Sequence, residues 1–389
     1  MNFNLDFSTL TIILAGALLL LTLHVVILVR NRVAAPARCR TRQDAEPPQP
    51  TDKPVSIVVY ARDNSARLEA LLGDLLTQTY RAPYEIIVVN DCGGYACSDV
   101  VTRLSLRHAN LRMTFVPEQA HNLSRKKLAV TLGLKAARYP YVLLLNAECR
   151  LQSPLWLAAM SRDNDMVTLG NAVITPDADT PDMSPLMKLD AANTAITWIA
   201  AAEKRRPYRG TGYNIGYPTA TFFAKDGFAG TLNLKAGDDD LFVNKITTPA
   251  NTRVELSAES QVDITTGDAR QLYRELKISH YFTGRTLPCH PVMATAPYVL
   301  WLSLAVGIAA SWLAWPNLTV AAAALVMLLT QWIVLARTWH KSGIALGYPT
   351  GSFSVIPLLL ILPFHNLRYR LASRSNKSQH YTWQKQKKI

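Results

Sequence analysis

Apolar and polar positions divide the chain into three regimes. Leu10 to Val29 is a nearly unbroken apolar run, long enough to cross a bilayer. Between about residues 54 and 290, short β-branched runs alternate with stretches of helical spacing. Beyond them, Ala296 to Trp315 and Leu318 to Ala336 are again continuous apolar runs, joined by an uncharged Trp-Pro-Asn-Leu connection, and read as a helical hairpin. A third apolar stretch, Gly351 to Phe364, is shorter, is interrupted by Pro357 and Pro363 and has basic residues on both sides. That favours a re-entrant or interfacial segment over a crossing helix.

In the middle regime, Val55 to Tyr60, Glu85 to Asn90, Leu111 to Val116 and Tyr141 to Asn146 read as strands. Asn64 to Thr77, Ser98 to Arg107 and Ser124 to Arg138 read as the helices between them. Such alternation predicts an α/β domain with a mostly parallel sheet and helices on both faces.

Composition supports a mixed architecture: the mean hydropathy of +0.07 and the 18% charged content suit neither a purely soluble enzyme nor a chain made only of spanning helices. The net charge of +13 is concentrated late, with no Asp or Glu after Glu275 and seven Lys or Arg from Arg368 onward. Basic residues beside apolar segments point to anionic lipid on the cytoplasmic leaflet rather than to nucleic acid. Arg30 and Arg32 follow the first apolar run, which places everything after it in the cytoplasm. The expected organisation is an anchor (1–32), a Pro- and Arg-rich linker (33–53), a cytoplasmic α/β domain (54–290), a transmembrane hairpin (291–341), the re-entrant or interfacial segment (342–367) and a basic cytoplasmic tail (368–389). The whole would sit multi-pass in the inner (cytoplasmic) membrane. Five scattered cysteines without metal-ligand spacing read as reduced, unpaired thiols.

Ligands of parallel α/β sheets collect at the carboxyl ends of the strands. Here those ends carry Arg62, Asp63 and Asn64, then Asn90 and Asp91, then Asn146 and Glu148. Each residue type also caps helices or makes turns; three polar ends on adjacent strands argue for a site. Neither GxGxxG nor GxxxxGK[ST] occurs, which removes dinucleotide-dehydrogenase and P-loop readings. Farther on, Asp238, Asp239 and Asp240 stand together at a helix start. Three acids in a row repel one another, so they suit proton abstraction from a hydroxyl better than simple complementation of a helix dipole.

The segments Pro54 to Asn64, Tyr84 to Asp91 and Arg125 to Ala137 resemble the opening strands and Gly-Lys-Lys helix of processive-type family 2 glycosyltransferases. The resemblance implies a GT-A fold and a membrane-bound, inverting transfer of sugar from a nucleotide donor, UDP in the first instance, to a lipid-linked or polysaccharide acceptor. Asp91 would contact the base, with Arg62 and Asp63 nearby on the donor side, and Lys126 or Lys127 would steady phosphate. Asn146-Ala-Glu148 stands where the family has Asp-x-Asp, so Glu148 would hold a divalent cation (Mg²⁺ or Mn²⁺) with Asn146 beside it. One of Asp238, Asp239 and Asp240 would be the base, Asp238 or Asp239 depending on the alignment. Asn214 falls in a segment similar to an acceptor-side motif. Gln271 and Arg274 match Gln-x-x-Arg-Trp, which covers the diphosphate, although Glu275 replaces Trp and residues 271–283 also read as an amphipathic interfacial helix. Membrane lipids complete the expected partners. The departures at Asn146 and Glu275 leave a second reading, a degenerate member that binds nucleotide sugar or a partner enzyme without turnover.

Overall fold

The computed structural model describes residues 7–46, 53–91, 95–117, 123–287, 291–313 and 318–375. In chain order, helix α1 (Phe7–Leu28) passes through a π-helical turn (Val29–Val33) into α2 (Ala35–Asp44). Then β1 (Val55–Ala61), α3 (Ser65–Leu76), β2 (Tyr84–Asn90), α4 (Ala96–Ser105), β3 (Leu111–Phe115), α5 (Arg125–Ala136) and β4 (Tyr141–Asn146) alternate strictly. Shorter pieces follow: β5 (Cys149–Leu151), α6 (Trp156–Met160), β6 (Val167–Gly170), β7 (Ala172–Pro176), the long α7 (Pro185–Glu203), β8 (Ile215–Pro218), α8 (Thr219–Ala224), α9 (Leu241–Ile246), β9 (Thr252–Glu255) and β10 (Val262–Thr266). Helices α10 (Ala269–Thr283), α11 (Pro291–Leu313), α12 (Leu318–Ala345) and α13 (Ser352–Ser375) come last.

Internal contacts divide the chain into two compact units. One is Arg38–Ser184, Ala201–Pro288 and Tyr369–Ile389. Its seven-stranded sheet has the order β3-β2-β1-β4-β8-β6-β9, and a smaller sheet has the order β5-β10-β7. Strands β1 to β4 are mutually parallel, and β8 alone runs against its neighbours in the larger sheet. Every residue of β1 is buried, as its β-branched content and central position require. The register pairs Ala61 with Asn90 and Tyr60 with Asn146, so the polar ends of β1, β2 and β4 lie level at one sheet edge. Leu68, Leu71, Leu72 and Leu75 of α3 pack on this sheet with Ile57 and Val59. The side chain of Asn64 starts α3 by accepting from the Arg67 amide at 3.0 Å.

Two sequence readings need correction here. Residues 33–53 are not linker throughout, because Ala35–Asp44 is helical. Gln43 in it donates to Val254 O (2.7 Å) and accepts from Leu256 N (2.7 Å), continuing the hydrogen bonding at the end of β9. Local composition hid this helix; its partner is distant in sequence. Among the cysteines, Cys39 and Cys149 are free and buried, whereas Cys97 is in a disulfide, which an odd count does not exclude.

The other unit comprises Met1–Ala37, Pro185–Ala200 and Cys289–Arg368. Within it α1, α11 and α12 pack on one another. Ile12–Val33 and Ala321–Ala345 are long and apolar enough to cross a membrane, and Tyr298–Ala310 is a shorter apolar stretch. Their apolar side chains point outward: Ile12 is 71% exposed and Val326 61%. Polar groups point inward. Gln331 is buried and its Nε2 donates to Thr22 Oγ1 at 2.7 Å, while Ser342 Oγ donates to Val33 O. Arg32, also buried, donates to Asn193 Oδ1 (3.0 Å) and Thr197 Oγ1 (2.6 Å) of α7. The stretch expected to be re-entrant or interfacial falls largely in α13, one helix that runs through Pro357 and Pro363 and on to Ser375. The rest of the basic tail, from residue 376, lies outside the described residues.

Candidate functional site

At the end of β2 the Asp91 carboxylate is buried. Tyr60 donates its hydroxyl proton to Oδ2 (2.7 Å) and Arg125, the first residue of α5, donates Nε–H to Oδ1 (2.5 Å). Burial and the Asp91 carboxylate both push the Tyr60 hydroxyl up, keeping it a donor. Arg62 and Asp63 form an exposed pair at 3.2 Å just beyond β1, where Asp63 has φ +52°. Asn146 is buried at the end of β4. Two residues later, burial pushes the Glu148 carboxyl up, with Lys126 and Arg67 pulling the other way.

The three consecutive acids have three different fates. Gly237 turns the chain into them at φ +99°, a conformation that favours glycine. Asp240 is fully buried and caps α9 by accepting from Leu241 N (2.6 Å). Its other oxygen accepts from Arg209 (3.3 Å) and from the Thr283 hydroxyl. Burial and the neighbouring Asp239 push its carboxyl up. Asp239 lies 3.0 Å from His280 Nε2. Burial alone would raise the Asp239 carboxyl, but His280, Arg209 and Lys126 outweigh it and hold it at about 2. A carboxylate held so low is a poor proton acceptor. Asp238 is the least enclosed of the three and pairs with Lys126 Nζ at 2.6 Å.

Consecutive residues on a helix point about 100° apart, and the adjacent lysines of α5 do different jobs. Lys127 is fully buried and donates to the carbonyls of Thr231 (2.7 Å), Leu234 (3.1 Å) and Ala236 (2.6 Å). All three of its donors are engaged by the loop that leads to Gly237. Lys126 keeps a side-chain exposure of 24% and also lies over the Tyr213 ring, 4.7 Å from its centroid. Burial alone would lower its pKa; Asp238, Tyr213 and Asp239 together raise it, so it stays an ammonium. Gly212 permits the close approach here, since a Cβ would stand 2.8 Å from Asp238 Oδ2 and 3.3 Å from Lys126 Nζ.

Lys126 and Asp238 thus meet directly, and Glu148 and Tyr60 lie within electrostatic reach of the same ammonium. Three expected residues stand apart from this group. Asn214 is fully buried, donating to Asn171 O (2.7 Å) and Ser260 O (2.9 Å) and accepting from Trp156 Nε1 (3.2 Å). Gln271 and Arg274 are on the exposed side of α10, with Gln271 donating to Glu275 at 2.9 Å. The same helix sends His280 and Thr283 to the acids instead. Sequence reasoning missed those two residues, along with Arg209, Tyr213 and Arg125. Of these, Arg125 and Tyr213 lie in segments that carry the family resemblance, Arg125 at the start of α5 and Tyr213 next to Asn214.

A divalent cation fits this donor set poorly. Glu148 is the one carboxylate at the end of β4, and it lies in the field of the Lys126 ammonium. Asn146 brings no charge, and among the described residues no group of three His, Cys, Asp or Glu could hold a metal ion.

Residues 55–228 match the model of Glycosyl transferase family 2. No curated protein matches the chain in sequence. Among solved structures, it is similar to the mannosyltransferase PcManGT from Pyrobaculum calidifontis in complex with GDP-Man and Mn²⁺, over 92% of this chain and 99% of that one, at 16% identity and a TM-score of 0.49. It is also similar to S. aureus TarS 1–349 (84% and 91% covered, 15% identity, TM-score 0.39). GalNAc-T7 with UDP, GalNAc and Mn²⁺ is similar over 61% of this chain and 51% of that one, at 14% identity and a TM-score of 0.40.

Proposed function

We propose that the chain is a family 2 glycosyltransferase of GT-A fold, the family whose model residues 55–228 match, and that it moves a sugar, with inversion, from a nucleotide donor to a lipid-linked or polysaccharide acceptor at the cytoplasmic face of the inner membrane. One observation carries this reading most: an accessible carboxylate, Asp238, sits beside a retained ammonium, Lys126, with the polar ends of β1, β2 and β4 level at one sheet edge. Asp238 is the base, since Asp239 is held too acidic and Asp240 is buried in cap and Arg209 contacts. It takes the acceptor hydroxyl proton as that oxygen attacks the anomeric carbon. A single displacement of this kind inverts the sugar.

Asp91 is buried and acts on the donor side indirectly, by holding Tyr60 and Arg125 in place, while the exposed Arg62 and Asp63 are left to meet a UDP-type nucleotide. Gln271 and Arg274, exposed on α10, are free to reach a bound diphosphate or a membrane surface. Asn214 acts on the acceptor side indirectly, by fixing the backbone at Asn171 and Ser260. No step is routed through a cation, given the poor donor set.

The apolar, outward-facing side chains of Ile12–Val33 and Ala321–Ala345 support membrane anchoring. A core helix of a soluble protein would hide those side chains, and here they are the exposed ones. Incubating the full-length protein with a panel of nucleotide sugars and measuring nucleotide release tests the reading. Turnover with at least one donor, lost on Asp238→Asn, is expected. Nucleotide binding without turnover across the panel favours the degenerate member instead.

A further inference from the structure

The end of β4 carries one carboxylate, Glu148, beside the neutral amide of Asn146, and the Lys126 ammonium acts on that carboxylate. Lys126 is the group on which the site's charges converge. Its Nζ is 2.6 Å from Asp238 and over the Tyr213 ring, and it lies in the field of Glu148 and Tyr60. It is partly exposed, whereas Lys127 beside it is sealed against three carbonyls. A departing nucleoside diphosphate needs positive charge where its leaving oxygen develops. In a site short of carboxylates for a divalent ion, a fixed ammonium supplies that charge without a metal.

Resting on the nucleotide-sugar reading above, we infer that Lys126 receives the donor's diphosphate in place of a divalent ion, and that in turning to the phosphate it releases Asp238 to act as base. Without donor, the Asp238 carboxylate is held by the Lys126 ammonium at 2.6 Å. With donor bound, the diphosphate competes for the ammonium and the carboxylate is left to the acceptor hydroxyl. The proton then passes from the acceptor oxygen to Asp238, and that oxygen forms its bond to the anomeric carbon. The bond from the anomeric carbon to the phosphate oxygen breaks, and its electron pair leaves on the nucleoside diphosphate against Lys126. The site is therefore armed only when donor is present.

This makes opposite predictions for the two partners of one ion pair. Full-length protein in detergent is stripped with EDTA and titrated calorimetrically with UDP and with GDP, in the presence and absence of Mn²⁺. For whichever nucleotide binds, the affinity is expected to be the same with EDTA and with Mn²⁺. Lys126→Met weakens it about ten- to a hundredfold, the equivalent of one charge-assisted hydrogen bond. Asp238→Asn tightens it roughly three- to tenfold, because the ammonium no longer has to leave a carboxylate. Where Lys126→Met fails to fold, Lys126→Arg, which keeps the charge, binds within about threefold of the parent, and Asp238→Asn still decides. Binding that requires Mn²⁺, or an Asp238→Asn variant that binds no tighter, overturns the inference while leaving a nucleotide-sugar enzyme in place. Absence of nucleotide binding with and without Mn²⁺ defeats that broader reading as well, and this inference with it.

Discussion

Replacing Asp239 by Asn tests whether the acid cluster is held together by charge. The Asp239 carboxyl falls from 3.8 to about 2 despite its burial, chiefly through His280 and then Arg209 and Lys126. That difference corresponds to about 2 kcal/mol of native-state stabilisation, at roughly 1.4 kcal/mol per pKa unit. The side chain is only 12% exposed, so solvent screening removes little of it. Part is returned, because Asp239 also repels Asp240 and the neutral amide relieves it. A net loss of about 1–2 kcal/mol follows, or a melting point lower by roughly 2–8 °C for a domain of this size. The sign with pH is fixed. A carboxyl depressed in the folded state stabilises fully above its unfolded value of 3.8, and that contribution disappears as pH falls through about 2. Thermal unfolding of parent and variant in detergent, followed by tryptophan fluorescence from neutral pH down to pH 2, reads both features. Equal melting at neutral pH, or a gap that persists undiminished at pH 2, would refute the charge argument.

Three further outcomes are expected. Asp238→Asn lowers kcat by about a hundred- to ten-thousandfold, as loss of a general base does; a change below tenfold in a donor-turnover assay points to another base. Lys127→Met removes the ammonium from the carbonyls of Thr231, Leu234 and Ala236 and costs about 3 kcal/mol or more, seen as a lower melting point and faster hydrogen exchange at 231–236. Exchange unchanged at those amides would show that the loop is held by something else. Alkaline carbonate washing of membranes leaves the full chain in the pellet, and its release to the supernatant would remove the case for anchoring by the two apolar helices.

What could be read from the sequence follows the range of the forces involved. Strands β1, β2 and β4 declare themselves because each is a short apolar run buried in a parallel sheet, and α3 between the first two carries its own apolar stripe. The far half of the large sheet is built from strands such as β6, β8 and β9, four residues each and paired across long loops, which leave little periodicity to detect. The site divides the same way. Asp238 to Asp240 were visible as a motif, but their different characters come from Lys126, His280, Arg209 and Thr283, which no local pattern connects to them. Resemblance pointed equally to Lys126 and Lys127, and only the packing of α5 distinguishes a loop clamp from a partly exposed ammonium. It also drew attention to Asn214 without indicating that every group of its amide is engaged by buried partners.

The hydrogen bond from Gln331 to Thr22 gives the N-terminal helix an identity beyond its greasiness. Apolar helices pack in many rotational settings of similar energy, because one Leu or Val face resembles another. A single amide–hydroxyl pair between α1 and α12 breaks that degeneracy. Rotation by one residue carries Thr22 away and strands the Gln331 amide among apolar side chains, at a cost of about 1 kcal/mol. Helix α1 is thus keyed to its neighbour rather than merely tethered beside it. A substitute helix matched for length and hydrophobicity alone would insert, yet would lack the key that selects one setting of the bundle.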